Sequence, residues 1–160
     1  MRLERFNEIW ASSSYPPAQV TEADLRAVER RFDVRLPAEY REAVLRVGLP
    51  RPAVALMDVI VERELDMHAV GDFYSPAEII EETIGWRQIG MPEALVAFAS
   101  DGCGNMFCFD AHRLNGGTAD AHAVLFYDHD FDTVDQVAPS FDAWIEAFCR
   151  LEPTSEPETD

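Results

Sequence analysis

Tyr127-Asp128-His129-Asp130-Phe131-Asp132-Thr133-Val134-Asp135 is the densest acidic cluster in the chain. Counted from Asp128, carboxylates fall at positions 1, 3 and 5, as at the start of a calcium-binding loop. The pattern then fails. Thr133 stands at position 6, where the sharp turn needs Gly, and Pro139 at position 12, where a bidentate Glu should close the coordination. Paired carboxylates could do acid and base work, although an acidic turn between strands is more often simply solvated. The other use of such a turn is to meet a basic partner.

A second segment, Phe98-Ala99-Ser100-Asp101-Gly102-Cys103-Gly104-Asn105-Met106-Phe107-Cys108-Phe109-Asp110, invites three chemical readings. Gly102 and Gly104 do not form a dinucleotide fingerprint, because they join two strands rather than open a helix that could hold a pyrophosphate. A tight hairpin accounts for them: the glycines supply positive φ, and Asp101 and Asn105 close turns on their own backbone. Cys103 is a possible nucleophile with His68, His112, His122 and His129 as possible bases, but no local signature ties any pair together. Zinc wants closely spaced pairs of ligands, whereas Cys103 and Cys108 are separated across a strand. The expectation is therefore no metal, no cofactor and no catalytic residue. The three cysteines, Cys103, Cys108 and Cys149, are read as reduced small hydrophobes.

The elements that must position these two segments are legible from periodicity. Leu3, Phe6 and Trp10 recur at helical spacing before the breaker Ser12-Ser13-Ser14-Tyr15-Pro16-Pro17. Thr21 reads as an N-cap in a capping box with Asp24, followed by Leu25, Val28 and Phe32 on one helix face. Pro37 opens a helix carrying Tyr40, Val44 and Val47, which stops at Gly48. Pro52 opens another to about Leu65, and Ser75-Pro76 caps one that ends at Gly85. From residue 94 the pattern changes to apolar runs of strand length, Leu95 to Ala99, Met106 to Phe109 and Val124 to Tyr127, with a weaker Thr133 to Val137. Because the runs are continuous, the middle strands should be covered on both faces. Ser140 caps a last helix with Phe141, Trp144, Ile145, Phe148 and Cys149 in one stripe.

Composition narrows the function classes. The 160 residues make one domain of ordinary size, and 48% hydrophobic residues mark a folded one. No stretch is apolar enough to span a membrane, and the first residues lack a signal-peptide core, so a cytoplasmic location is expected. The formal charge of −17 repels phosphate backbones and anionic lipid, which disfavours direct nucleic-acid or membrane binding. Residues 1–51 hold nine Arg against eight acids, whereas residues 52–160 hold four Arg against 22 acids. The negative field thus belongs to the C-terminal two thirds. Residues 152–160 have no apolar residue to bury and are expected to form a disordered acidic tail behind one domain of 1–151.

Three blocks resemble the SUKH superfamily of bacterial immunity proteins, which also contains the SMI/KNR-type regulators of fungi. They are Leu36-Pro37-Ala38-Glu39-Tyr40-Arg41, Phe98 to Asn105 leading into Phe107-Cys108-Phe109-Asp110, and Val124 to Asp130 followed by Val137-Ala138-Pro139-Ser140-Phe141. Together they span about residues 20 to 150. The chain departs from the usual pattern at Val47-Gly48-Leu49-Pro50, where such proteins read Asn-Gly-Gly, and at Cys103, commonly a glycine. The resemblance implies a non-enzymatic binder that docks on the toxic domain of a cognate toxin, often a nuclease. A basic nuclease cleft would be steered to an acidic partner able to cover it.

The expected fold is α+β: one domain with a mostly antiparallel β-sheet of about four strands or more, packed with several α-helices. The expected contacts with a basic protein toxin are exposed acids near the hairpin and the acidic turn: Asp101, Asp110, Asp128, Asp130, Asp132 and Asp135, with His129 beside them. A regulator or scaffold of the same fold is the second reading, and a metal-dependent enzyme the third.

Overall fold

The computed structural model describes residues 2–12 and 14–153. The acidic tail expected at 152–160 lies outside the described residues from position 154 onward. The element order is α1 (Arg2–Trp10), α2 (Glu22–Phe32), α3 (Ala38–Val47), α4 (Val54–Glu62), β1 (Asp72–Phe73), α5 (Pro76–Gln88), β2 (Leu95–Ser100), β3 (Met106–Asp110), α6 (Ala111–Gly116), β4 (Val124–Asp128), β5 (Thr133–Ala138) and α7 (Phe141–Cys149). The five strands pair antiparallel in chain order, β1-β2-β3-β4-β5. This is a single α+β domain, as the sequence led one to expect.

Local chemistry sets the helix starts. Thr21 and Asp24 exchange hydrogen bonds in a complete capping box, and Ser75 does the same with Glu78. The hydroxyl of Ser140 accepts from the Ala143 amide. Helix α3 ends at Gly48 because its φ is +90° and a Cβ there would stand 2.6 Å from the Ala18 carbonyl oxygen. That close approach lets Ala18 and Leu49 exchange backbone hydrogen bonds at 3.0 and 2.8 Å.

Strands β2, β3 and β4 are buried almost throughout, as their continuous apolar runs require. Alternation puts Phe107 and Phe109 on the face covered by α7 and α3. There Trp144 lies 4.7 Å from Phe107, and Tyr40 meets Phe98, Phe109 and Phe141 edge-on at 5.2 to 5.6 Å. The Trp10 indole donates to the Phe148 carbonyl at 2.8 Å, tying α1 to α7.

One expectation needs correction, and two elements were not foreseen. Helix α5 does not stop at Gly85 but runs to Gln88. Gly85 is exposed with open space around it, so it carries only a propensity penalty, and the last turn is held by tertiary bonds. Those bonds also seal one edge of the sheet. Alternation along β2 turns the Ala97 amide outward, where the buried Thr83 hydroxyl accepts it at 3.0 Å, and the bulge between Ala97 and Ala99 brings the Phe98 carbonyl to the same side. One helical turn on, the Arg87 guanidinium donates to the Leu95 carbonyl at 3.1 and 3.3 Å. Strand β1, which is too short to read from sequence, takes the rest of that edge: Tyr74 donates to Phe98 and Gly71 to Ser100. Helix α6 is the second element missed. Asp110 caps it by accepting from the His112 and Arg113 amides.

Candidate functional site

The two segments singled out in the sequence meet at one end of the sheet. Between β2 and β3, Gly102 and Gly104 take φ of +83° and +94°. The Asp101 carboxylate accepts from the Cys103 amide at 2.7 Å, the Asn105 amide at 3.0 Å and the Asn105 side chain at 3.1 Å. Asp101 is thus buried, with both carboxylate oxygens engaged by the hairpin, and the expectation of an exposed acid is corrected there. A carboxylate short enough to fold onto its own turn is drawn inward by those amides.

Between β4 and β5, Asp128 plays the same role, accepting from the Asp130 and Phe131 amides at 3.0 and 3.3 Å. Asp132 sits at φ +53° and accepts from the Tyr127 hydroxyl at 3.0 Å. Burial first, and then that contact, pushes the Tyr127 phenol upward. Asn105 joins the two turns. Its side-chain oxygen accepts from the His129 amide at 3.1 Å and lies 2.6 Å from His129 Nδ1. Gly104 makes this possible, since a Cβ there would come within 2.9 Å of the imidazole. The Trp86 ring lies 5.3 Å from the imidazole in an edge-to-face arrangement.

Asp128, His129 and Asp130 bring one ligand atom each within 4.8 Å of one another. Their groups also have internal partners: Asp128 closes its turn, and His129 Nε2 lies 3.2 Å from Asp130. Phe131 beside them is among the most exposed aromatic side chains described, at 78%.

The remaining expected residues lie elsewhere. Asp110 is at the opposite end of β3, opposite Leu95, where it caps α6 and faces Arg113 at 3.9 Å. It is half-buried and apart from the two turns, which corrects its placement with the exposed acids near them. Asp135 is exposed in the middle of β5 and lines a groove of 550 Å³ together with Asp66, His68, Phe107, Trp144 and Phe148. The His68 ring stacks on Phe126 at 3.8 Å. Sequence reasoning did not single out Asp66 and named His68 only as a possible base for Cys103, because a contact made by a loop far away in the chain leaves no local pattern. Among the cysteines, Cys103 is exposed, whereas Cys108 and Cys149 are buried and burial pushes both thiols upward.

An antiparallel five-stranded sheet packed by helices, with acidic side chains on the turn before β5 and at Asp135, defines a single α+β domain. The chain belongs to the SMI1 / KNR4 family (SUKH-1), whose model matches residues 19–147. No curated protein matches the chain. No helix among the described residues is long and apolar enough to cross a membrane.

Proposed function

We propose that this chain is an immunity protein that binds a cognate toxin domain and neutralises it by covering its basic active site, with no chemical step of its own. Family membership agrees with an immunity role. The observation that supports this mode most directly is the union of two turns through Asn105 and His129, which gives the acidic end of the sheet a fixed shape. From residue 114 to 149 the chain has seven acids and neither Arg nor Lys. A preformed, one-signed surface of this kind steers a basic partner and lowers the ordering cost of docking. Asp128, Asp130, Asp132 and Asp135, with His129, are the contact residues of this reading. The binding unit is the single domain of residues 1–151, acting in the cytoplasm, with 152–160 as an acidic tail. A toxin that degrades nucleic acid fits the charge best, because its cleft must hold phosphate.

The test is co-expression. The tagged protein is used to recover its partner from the host, and the toxic domain so found is expressed with and without this chain. Restored growth together with a stoichiometric complex supports the reading. Growth arrest despite a stable complex removes neutralisation, and recovery of only non-toxic regulatory proteins would favour a scaffold of the same fold.

A further inference from the structure

The two edges of the sheet are treated differently. The edge at β2 is closed by Thr83, Arg87 and β1, which take the outward groups of Leu95, Ala97, Phe98 and Ser100. The edge at β5 has no such cover: among the described residues no further backbone or side-chain hydrogen bond reaches Thr133 to Val137. The ladder alternates, and the Ala111 amide donates to Ala94, so Ala94 faces β3. Carried across the registers of the sheet, that alternation turns Thr133 and Asp135 toward β4 and leaves the amides and carbonyls of Val134 and Gln136 pointing outward.

We propose that the β5 edge is a docking strand for an extended basic segment of the partner, which adds to the sheet and places an Arg or Lys side chain in the groove between Asp66 and Asp135. An exposed six-residue edge normally carries a guard such as Lys, Pro or a covering helix. Here the guard is negative, with Asp135 within β5 and Asp130 and Asp132 in the turn that precedes it. Pairing with a second copy of β5 would set Asp135 near its like, whereas a basic strand meets complementary charge at Asp135, at Asp66 across the groove and at the turn before β5. The groove fits a long cationic side chain. Its floor is aromatic (Phe107, Trp144 and Phe148), so a methylene stem or guanidinium plane packs there while the charge reaches the two carboxylates. Neither Asp66 nor Asp135 has an ion-pair partner among the described residues. This inference rests on the binding reading above and assigns it a mode, β-strand addition.

The experiment uses the full ¹⁵N-labelled chain and a capped synthetic peptide alternating Arg and Val. Three controls accompany it: the same peptide N-methylated at alternate amides, a Glu/Val analogue, and the variants Asp66→Asn and Asp135→Asn. Saturable binding is expected, with amide exchange slowed at Val134 and Gln136. N-methylation should weaken it roughly tenfold or more, and each variant by about threefold to tenfold, with the larger losses at low salt. Absent binding, unchanged exchange at those two amides, or equal binding of the N-methylated peptide overturns the proposal. Because no toxin is used, failure here with intact rescue removes only β5 as the contact. Peptide binding without rescue removes the toxin and leaves the edge.

Discussion

The side-chain oxygen of Asn105 accepts the His129 backbone amide at 3.1 Å and lies 2.6 Å from the same residue's Nδ1, so one side chain clamps two turns that are 24 residues apart. Asn105 also donates to Asp101, which in turn holds the Cys103 and Asn105 amides. Removing the amide by Asn105→Ala leaves a part-buried N–H and a carboxylate short of partners. The expected loss is about 1–3 kcal/mol of stability, read as a lower urea midpoint with an unchanged slope. A midpoint equal to that of the parent protein would show that the clamp contributes nothing.

Thiol chemistry follows access. Cys103 sits exposed at the hairpin tip, while Cys108 is fully enclosed in β3 and Cys149 is buried with its sulfur 3.5 Å from the Arg2 carbonyl. Burial disfavours the thiolate at both enclosed sites. Native protein should therefore modify at one fast site with an aromatic disulfide reagent, abolished by Cys103→Ser, and at all three only when unfolded. A second fast thiol in the native state would mean that the sheet or α7 opens readily.

Asp72 on β1 carries a carboxyl raised above its ordinary value, first by burial and then by Glu78 and Glu82, with Arg51 opposing. A raised carboxyl binds its proton more tightly in the fold than in the unfolded chain, so its ionisation lowers stability. That penalty is absent below the ordinary carboxylate range and grows as pH rises through it. Asp72→Asn should match the parent protein at low pH and exceed it at neutral pH, measured as Tm across a pH series. A variant less stable at neutral pH would assign Asp72 a favourable partner that outweighs its burial.

How much of this was legible beforehand depends on how local the cause is. Thr21, Ser75 and Ser140 declare their helices through side-chain oxygens that bind amides three residues on, so the caps read directly. The buried strands β2 to β4 read from their apolar runs. Gly85 misled because a glycine signals a helix end only where positive φ or a close approach is required, and neither occurs there. Strand β1 has only two residues and no pattern to detect; it exists because β2 offers it outward amides and carbonyls. In the candidate site the acidic turn was visible as composition. Local competition was harder to read: Asp101 commits both carboxylate oxygens and Asp128 one to their own turns, whereas Asp130 keeps its carboxylate largely in solvent. The contact of Asn105 with His129, and the placement of Asp66 and Asp135 on one groove, depend on tertiary placement that no spacing encodes.

That competition separates the acids that can steer a partner from those that shape the turn. Asp130 has a side chain 72% exposed, with His129 Nε2 at 3.2 Å. Asp132 sits at positive φ and holds the Tyr127 hydroxyl, so Lys there would disturb the backbone as well as the charge. Asp132→Asn keeps a residue that tolerates the left-handed region and removes only the charge. Against the toxin domain recovered by rescue, Asp130→Lys should slow association roughly threefold to tenfold at low salt and little at high salt, with dissociation nearly unchanged. Asp132→Asn should show a smaller effect of the same kind. Stopped-flow kinetics at two ionic strengths reads both. If association is insensitive to both substitutions while the β5 variants still weaken binding, the partner approaches along the strand edge and not over the turn. If dissociation alone accelerates, Asp130 makes a desolvated contact in the complex instead of guiding the encounter.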